Sequence, residues 1–368
     1  MRLSLTSLRS KAESLRTSWH HVDTHPDRKP RRQIARELLA YRRAGNPSRF
    51  YFERLLYQRS AGRPADYLTQ KETYALWDLK RKPAGYLRVF DDKTLFDEHL
   101  RREDGAPPTR LPAYLGQTRA SVLLRPGYAD ARLRDHVAFG HALAGMVEGS
   151  PTGRVFAKPA NGNKGTGAML IQSGSLEQTT EEVRERALEV DYFFQEAIDQ
   201  HPEINRLHPG CLNTLRIVTG TATDGSFPVL AAVLRVGQGS KPVDNSHAGG
   251  LVVGIDRETG RLRPRAHAFF QFGGATYERH PETGVAFDRF EVPFFAEAVD
   301  LARRAHGKLP LLYVGWDIGI APDGPVLIEG NSGPYIAGLE IPVGGFKADP
   351  VTHAFLAEHG IISGADHR

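Results

Sequence analysis

The sequence predicts an α+β protein with a helical extension at its N-terminus. Two observations favour strands that pair with their chain neighbours: a turn between apolar runs in residues 314–334, and a glycine-rich loop between short apolar runs in residues 155–171. A third observation is a series of amphipathic helical patterns that begins near residue 30. With 368 residues, 40% of them hydrophobic, the chain is long enough for about two or three domains with a sizeable core.

The composition is that of an ordinary globular protein, with 25% charged residues. The single cysteine, Cys211, excludes an intrachain disulfide and a cysteine-based zinc site, and it is compatible with a cytoplasmic protein. The first twenty residues carry polar and basic groups without a long apolar run, so we expect no signal peptide. We also expect no membrane span, because no stretch approaches the ~18 apolar residues that one needs.

The positive charge is concentrated at the N-terminus. The chain has a net charge of +5, but residues 1–60 contain 14 Lys and Arg against 5 Asp and Glu, so the remainder is slightly acidic. A basic block of this kind can bind nucleic acid or another acidic polymer. A solvated helical surface rich in arginine would have the same composition, and nucleic acid is therefore the less favoured partner.

Residues 1–85 are predicted to form the helical extension. Residues 1–30 are polar and only weakly periodic, so we expect them to fray. Helical patterns follow in residues 30–45, 47–62 and 69–79, with glycines as terminators of the first two. They predict a small helical cap without a catalytic constellation.

The stretch of residues 314–334 carries the clearest functional pattern. A hairpin centred on Asp323 would place Asp317 opposite Glu329, with Asn331 on the same face as Glu329. Directly opposed carboxylates repel each other, and the stretch itself offers no cation to relieve that repulsion. Two carboxylates and an amide oxygen suit a hard divalent cation. The pattern therefore predicts a metal site, with an edge hairpin whose acids point to solvent as the alternative.

The glycine-rich loop follows a short strand that ends at Lys158. It leads into a second strand and not into a helix, which excludes a Walker A or dinucleotide-binding motif. Glycines together with Lys158 and Lys164, and no acid, make a cationic loop whose backbone N–H groups can close over phosphates. An ordinary mobile hairpin is the alternative.

Further candidates lie on the neighbouring segments. An apolar strand ends at Gln195 and Glu196, where backbone groups can read an adenine, and Glu203 can accept ribose hydroxyls; each glutamate alone could equally be a surface residue. Arg216 lies on an apolar strand and therefore needs an acidic partner or a ligand, with a structural salt bridge as the equal alternative. His247 lies in a glycine-rich, polar loop that we interpret as facing the substrate, although a lone histidine is more often structural.

The order of these features resembles the ATP-grasp superfamily, and most of all its sugar-transfer-associated branch. The shared order is a lysine that opens a helix, a strand lysine, a glycine loop, Gln195-Glu196, a strand arginine, and then Asp317 followed by Glu329-x-Asn331. The resemblance covers roughly residues 86–345. It implies an ATP-grasp domain over residues 86–368, in which two α+β subdomains hold ATP between antiparallel sheets. The lid subdomain is expected at about residues 150–197 and the catalytic subdomain at about 198–345.

The resemblance also implies ATP and Mg2+ as cofactors and a role for each candidate residue. The nucleotide-binding residues it implies are Lys93, Lys158, Gly162, Lys164, Gly165, Thr166, Gly167, Gln195, Glu196, Ile198 and Glu203. The catalytic residues would be Arg216, Lys158 and His247, and the metal ligands Asp317, Glu329 and Asn331. The implied activity is that of a ligase that joins a small-molecule carboxylate to an amine through an acyl phosphate. A phosphotransferase is the second hypothesis, and a basic module that binds nucleic acid or an acidic polymer is the third.

Overall fold

The strands of the described residues form two antiparallel sheets. The structure, a computed structural model, describes residues 5–80, 85–102, 108–127, 129–161, 167–239 and 249–363. The sheets are joined where the chain leaves residue 196 and enters the second sheet at residue 214. The combination of these sheets with packed helices confirms the α+β class that the sequence predicts.

The first sheet has six strands in the order β3-β2-β1-β6-β4-β5. Its strands are β1 (Tyr114–Arg119), β2 (Val122–Leu124), β3 (Ala131–Arg132), β4 (Arg154–Pro159), β5 (Met169–Gln172) and β6 (Tyr192–Glu196). Helices α7 (His136–Gly149) and α8 (Leu176–Glu189) supply apolar side chains to its core. Strands β4 and β5 pair antiparallel, so the glycine-rich loop connects a hairpin, as the sequence predicts.

The second sheet has seven strands in the order β11-β10-β9-β8-β7-β12-β13. They are β7 (Thr214–Gly220), β8 (Val229–Val236), β9 (Leu251–Ile255), β10 (Leu262–Ala268), β11 (Thr276–Tyr277), β12 (Tyr313–Ala321) and β13 (Gly324–Asn331). One face of this sheet forms the largest core with α6 (Lys93–Arg101) and α10 (Phe295–Lys308). The other face is partly covered by α11 (Ile336–Val343) and α12 (Pro350–Glu358). The uncovered part of that face is therefore where polar side chains can meet a ligand.

The remaining helices are short or belong to the extension. They are α1 (Leu5–Thr24), α2 (Arg31–Arg43), α3 (Ser48–Glu53), α4 (Gln70–Lys80), α5 (Leu87–Asp91) and α9 (Pro202–Asn205). No helix within the described ranges combines the length and the apolar composition needed to cross a bilayer.

The N-terminal extension differs from its prediction in two helices. Residues 5–24, expected to fray, form α1, because Val22 is fully buried and the indole of Trp19 packs edge-on against the ring of Phe52. The second predicted helix is short: α3 ends at Glu53, and Leu55 adopts a left-handed backbone conformation with φ 56° that a helix cannot contain. Tertiary packing thus decides both helices against their local patterns.

Candidate active site

The hairpin of β12 and β13 places the two predicted acids opposite each other. Its register pairs Asp317 with Glu329, as the pattern predicts, but the predicted turn is wrong by half a residue. Ala321 pairs with Gly324, so the turn consists of two residues instead of being centred on Asp323. A bulge between Asp317 and Ile318 shifts the register by one and restores the predicted pair.

Asp317 receives its cations from the neighbouring strands and not from the hairpin. Arg216 is its register partner on β7; Nη2 of Arg216 donates to Oδ2 of Asp317 at 2.9 Å, and Nε donates to Oδ1. Nη2 of Arg235 on β8 lies 3.1 Å from the same Oδ2. Burial alone would raise the pKa of the Asp317 carboxyl, but the two guanidinium groups outweigh it and hold this pKa below its usual range.

The three residues expected to bind Mg2+ differ in how far their oxygen atoms are available to a metal. Glu329 is one-third exposed, and Oε1 lies 3.9 Å from Nζ of Lys93. Asn331 donates its Nδ2 to Oδ2 of Asp317 at 3.4 Å, which leaves its amide oxygen as a donor for a metal. Oδ2 of Asp317 is occupied by several donors, whereas Oδ1 accepts from Nε of Arg216, and a carboxylate oxygen has a second lone pair.

These oxygen atoms fit a Mg2+ site in which a bound ligand supplies the remaining oxygen donors. Throughout the described ranges no three His, Cys, Asp or Glu side chains cluster as a metal site would require. Mg2+ is usually held by one or two carboxylates together with water and substrate phosphates, so Glu329, Asn331 and Oδ1 of Asp317 suit it when phosphate oxygens supply the rest.

Lys158, the residue before the end of β4, lies on the opposite side of the site. Its side chain is buried, and Nζ lies 5.7 Å from the centre of the Phe193 ring. Among the residues that the structure describes, Lys158 has no carboxylate within 4.0 Å. Burial, reinforced by Lys93 and opposed by Glu329, lowers the pKa of Lys158 to about 8. A buried lysine of this kind is positioned to bind an anion.

A cavity lies between the two sheets and brings several predicted residues together. The side chains that line it are Phe90, Lys93, Phe96, Asp97, Leu111, Pro112, Lys158, Phe193, Gln195, Ile328 and Glu329. Its walls are mainly aromatic and aliphatic, and Lys93, Lys158, Asp97 and Glu329 are the charged residues among them.

The charges that meet at this site do not cancel. Lys93, Lys158, Arg216 and Arg235 provide four positive charges, and Asp317 and Glu329 provide two negative ones. Asp97 also lines the cavity, but it is neutralised by a bidentate ion pair with Arg101. Within the described part of the chain the site therefore has an excess of about two positive charges and can bind a polyanion.

The predicted adenine and ribose residues lie outside the cavity lining, except for Gln195. Oε2 of Glu196 accepts the backbone N–H of Ala113 at 3.1 Å, and Ile198 is half-buried. Glu203 is 51% exposed and forms an ion pair with Arg206 on the same turn at 2.6 Å. These contacts give Glu196 and Glu203 structural partners.

The remaining predictions fall largely outside the described residues. Gly167 has φ 77°, and its carbonyl accepts the Tyr192 hydroxyl at 2.9 Å, which fixes one end of the glycine-rich loop. Gly162, Lys164, Gly165, Thr166 and His247 lie in ranges that the structure does not describe. Their proposed roles stay predictions.

Sequence reasoning missed Arg235. The signal was present, because Arg235 is a single charged residue on the otherwise apolar strand β8, as Arg216 is on β7. Arg235 on β8 contacts Asp317 on β12 across the strand β7 that lies between them. No local spacing in the sequence indicates such a contact.

The sequence of residues 86–346 matches the family described as sugar-transfer associated ATP-grasp. No curated protein sequence matches. Among solved structures, the ATP-grasp ligase PsnB complexed with a minimal precursor is 18% identical, with a TM-score of 0.39 over 76% of this chain and 63% of that chain. This chain thus matches less than two thirds of the length of PsnB.

Two further solved structures show similar levels of likeness. D-alanine–D-alanine ligase from Bacillus anthracis is 11% identical, with a TM-score of 0.39 over 74% of this chain and 67% of that chain. Biotin carboxylase from Campylobacter jejuni, complexed with an ATP analogue, is 11% identical, with a TM-score of 0.42 over 76% of this chain and 48% of that chain. Because the family match covers residues 86–346, well over half of the sequence, the chain belongs to the sugar-transfer-associated ATP-grasp family.

Proposed function

We propose that the protein is an ATP-dependent ligase that joins a carboxylate to an amine and releases ADP and phosphate. The observation that carries this proposal is the convergence of Lys93, Lys158 and Arg216 on the opposed pair of Asp317 and Glu329. Phosphoryl transfer requires mainly positioning and neutralisation of charge, and an excess of positive charge next to metal-binding oxygens supplies both. Membership of the ATP-grasp family supports this reading.

The residues take the following proposed roles. Lys158 and Arg216 neutralise the phosphates of ATP, and the glycine-rich loop over residues 162–167 covers them. Gln195, with Glu196 and Ile198 beside it, receives the adenine, while Glu203 would bind the ribose only after releasing Arg206. His247 remains a proposed substrate-facing residue.

Glu329, Asn331 and Oδ1 of Asp317 would hold Mg2+. When bound there, the ion would neutralise phosphate charge that the lysines and the arginines leave uncompensated.

The proposed reaction has two steps. An oxygen of the substrate carboxylate bonds to the terminal phosphorus of ATP, and ADP leaves with the electron pair of the broken P–O bond. The nitrogen of the amine then bonds to the acyl carbon, phosphate leaves, and the amine gives up a proton. An acyl phosphate hydrolyses in water, so the site must exclude solvent while the intermediate exists.

The first test is binding of Mg2+ and a non-hydrolysable ATP analogue, AMPPNP, by calorimetry, followed by a screen of acids and amines for ADP release. We expect E329Q to lose Mg2+-dependent binding and to reduce turnover by about 10²–10³. D323N is the matched control, because Asp323 is an exposed acid at the turn of the same hairpin. A wild-type protein that binds no AMPPNP with Mg2+, or an E329Q variant with full turnover, would contradict the proposal.

Hydroxylamine separates the ligase from the phosphotransferase. It converts an acyl phosphate into a hydroxamate, whereas a phosphorylated hydroxyl group does not react. A binding module led by the basic extension would instead show steep salt dependence and no effect of Mg2+ removal.

A further inference from the structure

Arg235 is a cation that none of the predicted roles uses. It lies near the end of β8, and its side chain is 17% exposed. Nε donates to Oγ1 of Thr214 at 2.9 Å, and Nη2 lies 3.1 Å from Oδ2 of Asp317. Asp317 thus accepts from two arginines on two different strands.

The alternation of the strands puts Arg235 on the ligand face of the sheet. Leu215 and Leu234 point into the large core on the opposite face. Arg216 and Arg235 each follow one of these leucines by one residue, so both point away from that core. This is the face on which Asp317 and Glu329 oppose each other.

Gly315 makes room for this arrangement. A Cβ atom at Gly315 would lie 3.1 Å from Cδ of Arg216 and 2.9 Å from Cβ of Pro334. The absence of a side chain lets the stem of Arg216 lie across β12, with its guanidinium on Asp317. The arginine position therefore depends on the backbone of the metal-binding hairpin.

The two guanidinium groups form a preorganised anion cradle. They carry two positive charges against the single charge of Asp317, and the shared carboxylate holds them side by side. A guanidinium is planar and presents paired N–H donors that match phosphate oxygens, and two adjacent ones suit a group with several charged oxygens.

We propose that Arg235 is a second phosphate-binding residue, which with Arg216 holds the terminal phosphate of ATP, and that Asp317 positions both. This inference rests on the proposed function, because it names the part of ATP that the two arginines contact. It gives Asp317 a role in orienting arginines in addition to that of a metal ligand.

The test compares AMPPNP with ADP, which lacks the terminal phosphate. Affinities of both nucleotides, each with Mg2+, are measured by calorimetry for wild type, R235Q and R235K. We expect R235Q to weaken the binding of AMPPNP by about tenfold to a hundredfold and that of ADP by less than about threefold, because only AMPPNP loses a charge-assisted hydrogen bond to its terminal phosphate. The AMPPNP affinity of R235K should lie between those of wild type and R235Q, because lysine keeps the positive charge but lacks the planar guanidinium with its paired N–H donors.

R257Q is the matched control. Arg257 is a similarly half-buried arginine on the loop after β9, and it is held by one carboxylate, that of Asp349. Its replacement should leave the ratio of the AMPPNP and ADP affinities unchanged. The ratio within one variant is independent of the folded fraction, so it remains informative if R235Q is less stable than wild type.

Two outcomes would overturn the inference and are distinguishable from failure of the proposed function. If wild type binds both nucleotides and R235Q weakens the binding of both equally, Arg235 stabilises the fold and does not bind the terminal phosphate. If R235Q leaves both affinities unchanged, Arg235 does not contact the nucleotide. If wild type binds neither nucleotide, the proposed function itself fails and this inference falls with it.

Discussion

Lys158 is the residue whose chemistry depends most on its surroundings. Its pKa of about 8 lies below the ordinary 10.5, because burial and Lys93 disfavour the charged form more than Glu329 favours it. A depressed lysine pKa means that protonation opposes folding. The unfavourable contribution is present in full below about pH 8 and disappears as the pH rises toward 10.5.

A phosphate bound next to Lys158 favours the charged form of the lysine and so raises its pKa. This gives a prediction for nucleotide binding. We expect the AMPPNP affinity to fall as the pH rises above 8, with uptake of up to roughly 0.7 proton per nucleotide at pH 8.5. Proton uptake is measured by calorimetry in two buffers of different ionisation enthalpy. K158R should bind without this uptake, because arginine stays charged.

The control for this prediction is K347R, since Lys347 forms an ordinary ion pair with Glu72 at 3.1 Å, away from the site. It should take up protons as wild type does. Equal uptake by wild type and K158R would show that the titrating group is not Lys158.

The candidate site divides into residues that local patterns predict and residues that they do not. Asp317 and Glu329 could be paired from the sequence because hairpin register is local, although the bulge after Asp317 had to correct a turn that was counted wrongly. Arg216 was recognisable as a charge on an apolar strand. Its partner was not, because β7 pairs with β12 across about one hundred residues of chain, and only the sheet order brings them together.

At the scale of elements, α11 connects the site to the N-terminal extension. The helix begins five residues after Asn331, and its Glu340 is fully buried, with Oε2 3.0 Å from Nε of Arg54. Oε1 of Glu340 accepts the backbone N–H groups of Leu68 at 2.9 Å and Phe346 at 3.2 Å. The extension therefore holds the helix that follows the hairpin of β12 and β13.

Removing one partner of this buried ion pair should be strongly destabilising. We expect R54M to lower the free energy of unfolding by about 3–5 kcal/mol, because it leaves a carboxylate without its cation in the interior. R54M/E340Q should recover part of this loss, since glutamine keeps the acceptor for Leu68 and Phe346 without a charge. Urea unfolding measures both variants.

R63Q is the control for that series, because Arg63 is 83% exposed in its ion pair with Asp66. A surface pair contributes about 0–1 kcal/mol. A double variant that is less stable than R54M would show that the Glu340 charge is satisfied by other groups.

The elements themselves were predictable where the local signal was strong. Asp92 caps α6 by accepting from the N–H groups of Thr94 and Leu95, and an aspartate directly before an apolar helical pattern is a local signal for a helix start. The helix α1 was not predicted, because its polar pattern is stabilised by side chains distant in sequence, such as the ring of Phe52. Propensity is a weak guide where a tertiary contact decides.

The contacts of the extension with the rest of the chain decide whether it unfolds as a separate unit. The sequence predicts a boundary after residue 85, and the family match begins at residue 86. The core of the extension nevertheless includes Ile341 of α11, and Phe270 from the turn between β10 and β11 packs against it. His25 and Gln58 also both bond to the carbonyl of Gly274 at 2.9 Å.

These shared contacts predict one cooperative unfolding transition for the extension and the seven-stranded sheet. Trp19 reports on the extension through its contact with Phe52, and the fully buried Trp316 reports on β12. In two variants, each keeping one of these tryptophans with the others changed to Phe, the urea midpoints by fluorescence should coincide with each other and with circular dichroism. An earlier transition for Trp19 would contradict this, because it would mean that the extension can leave while the sheet stays folded. We expect coincidence, since departure of the extension would expose Ile341 and leave the buried charge of Glu340 without Arg54.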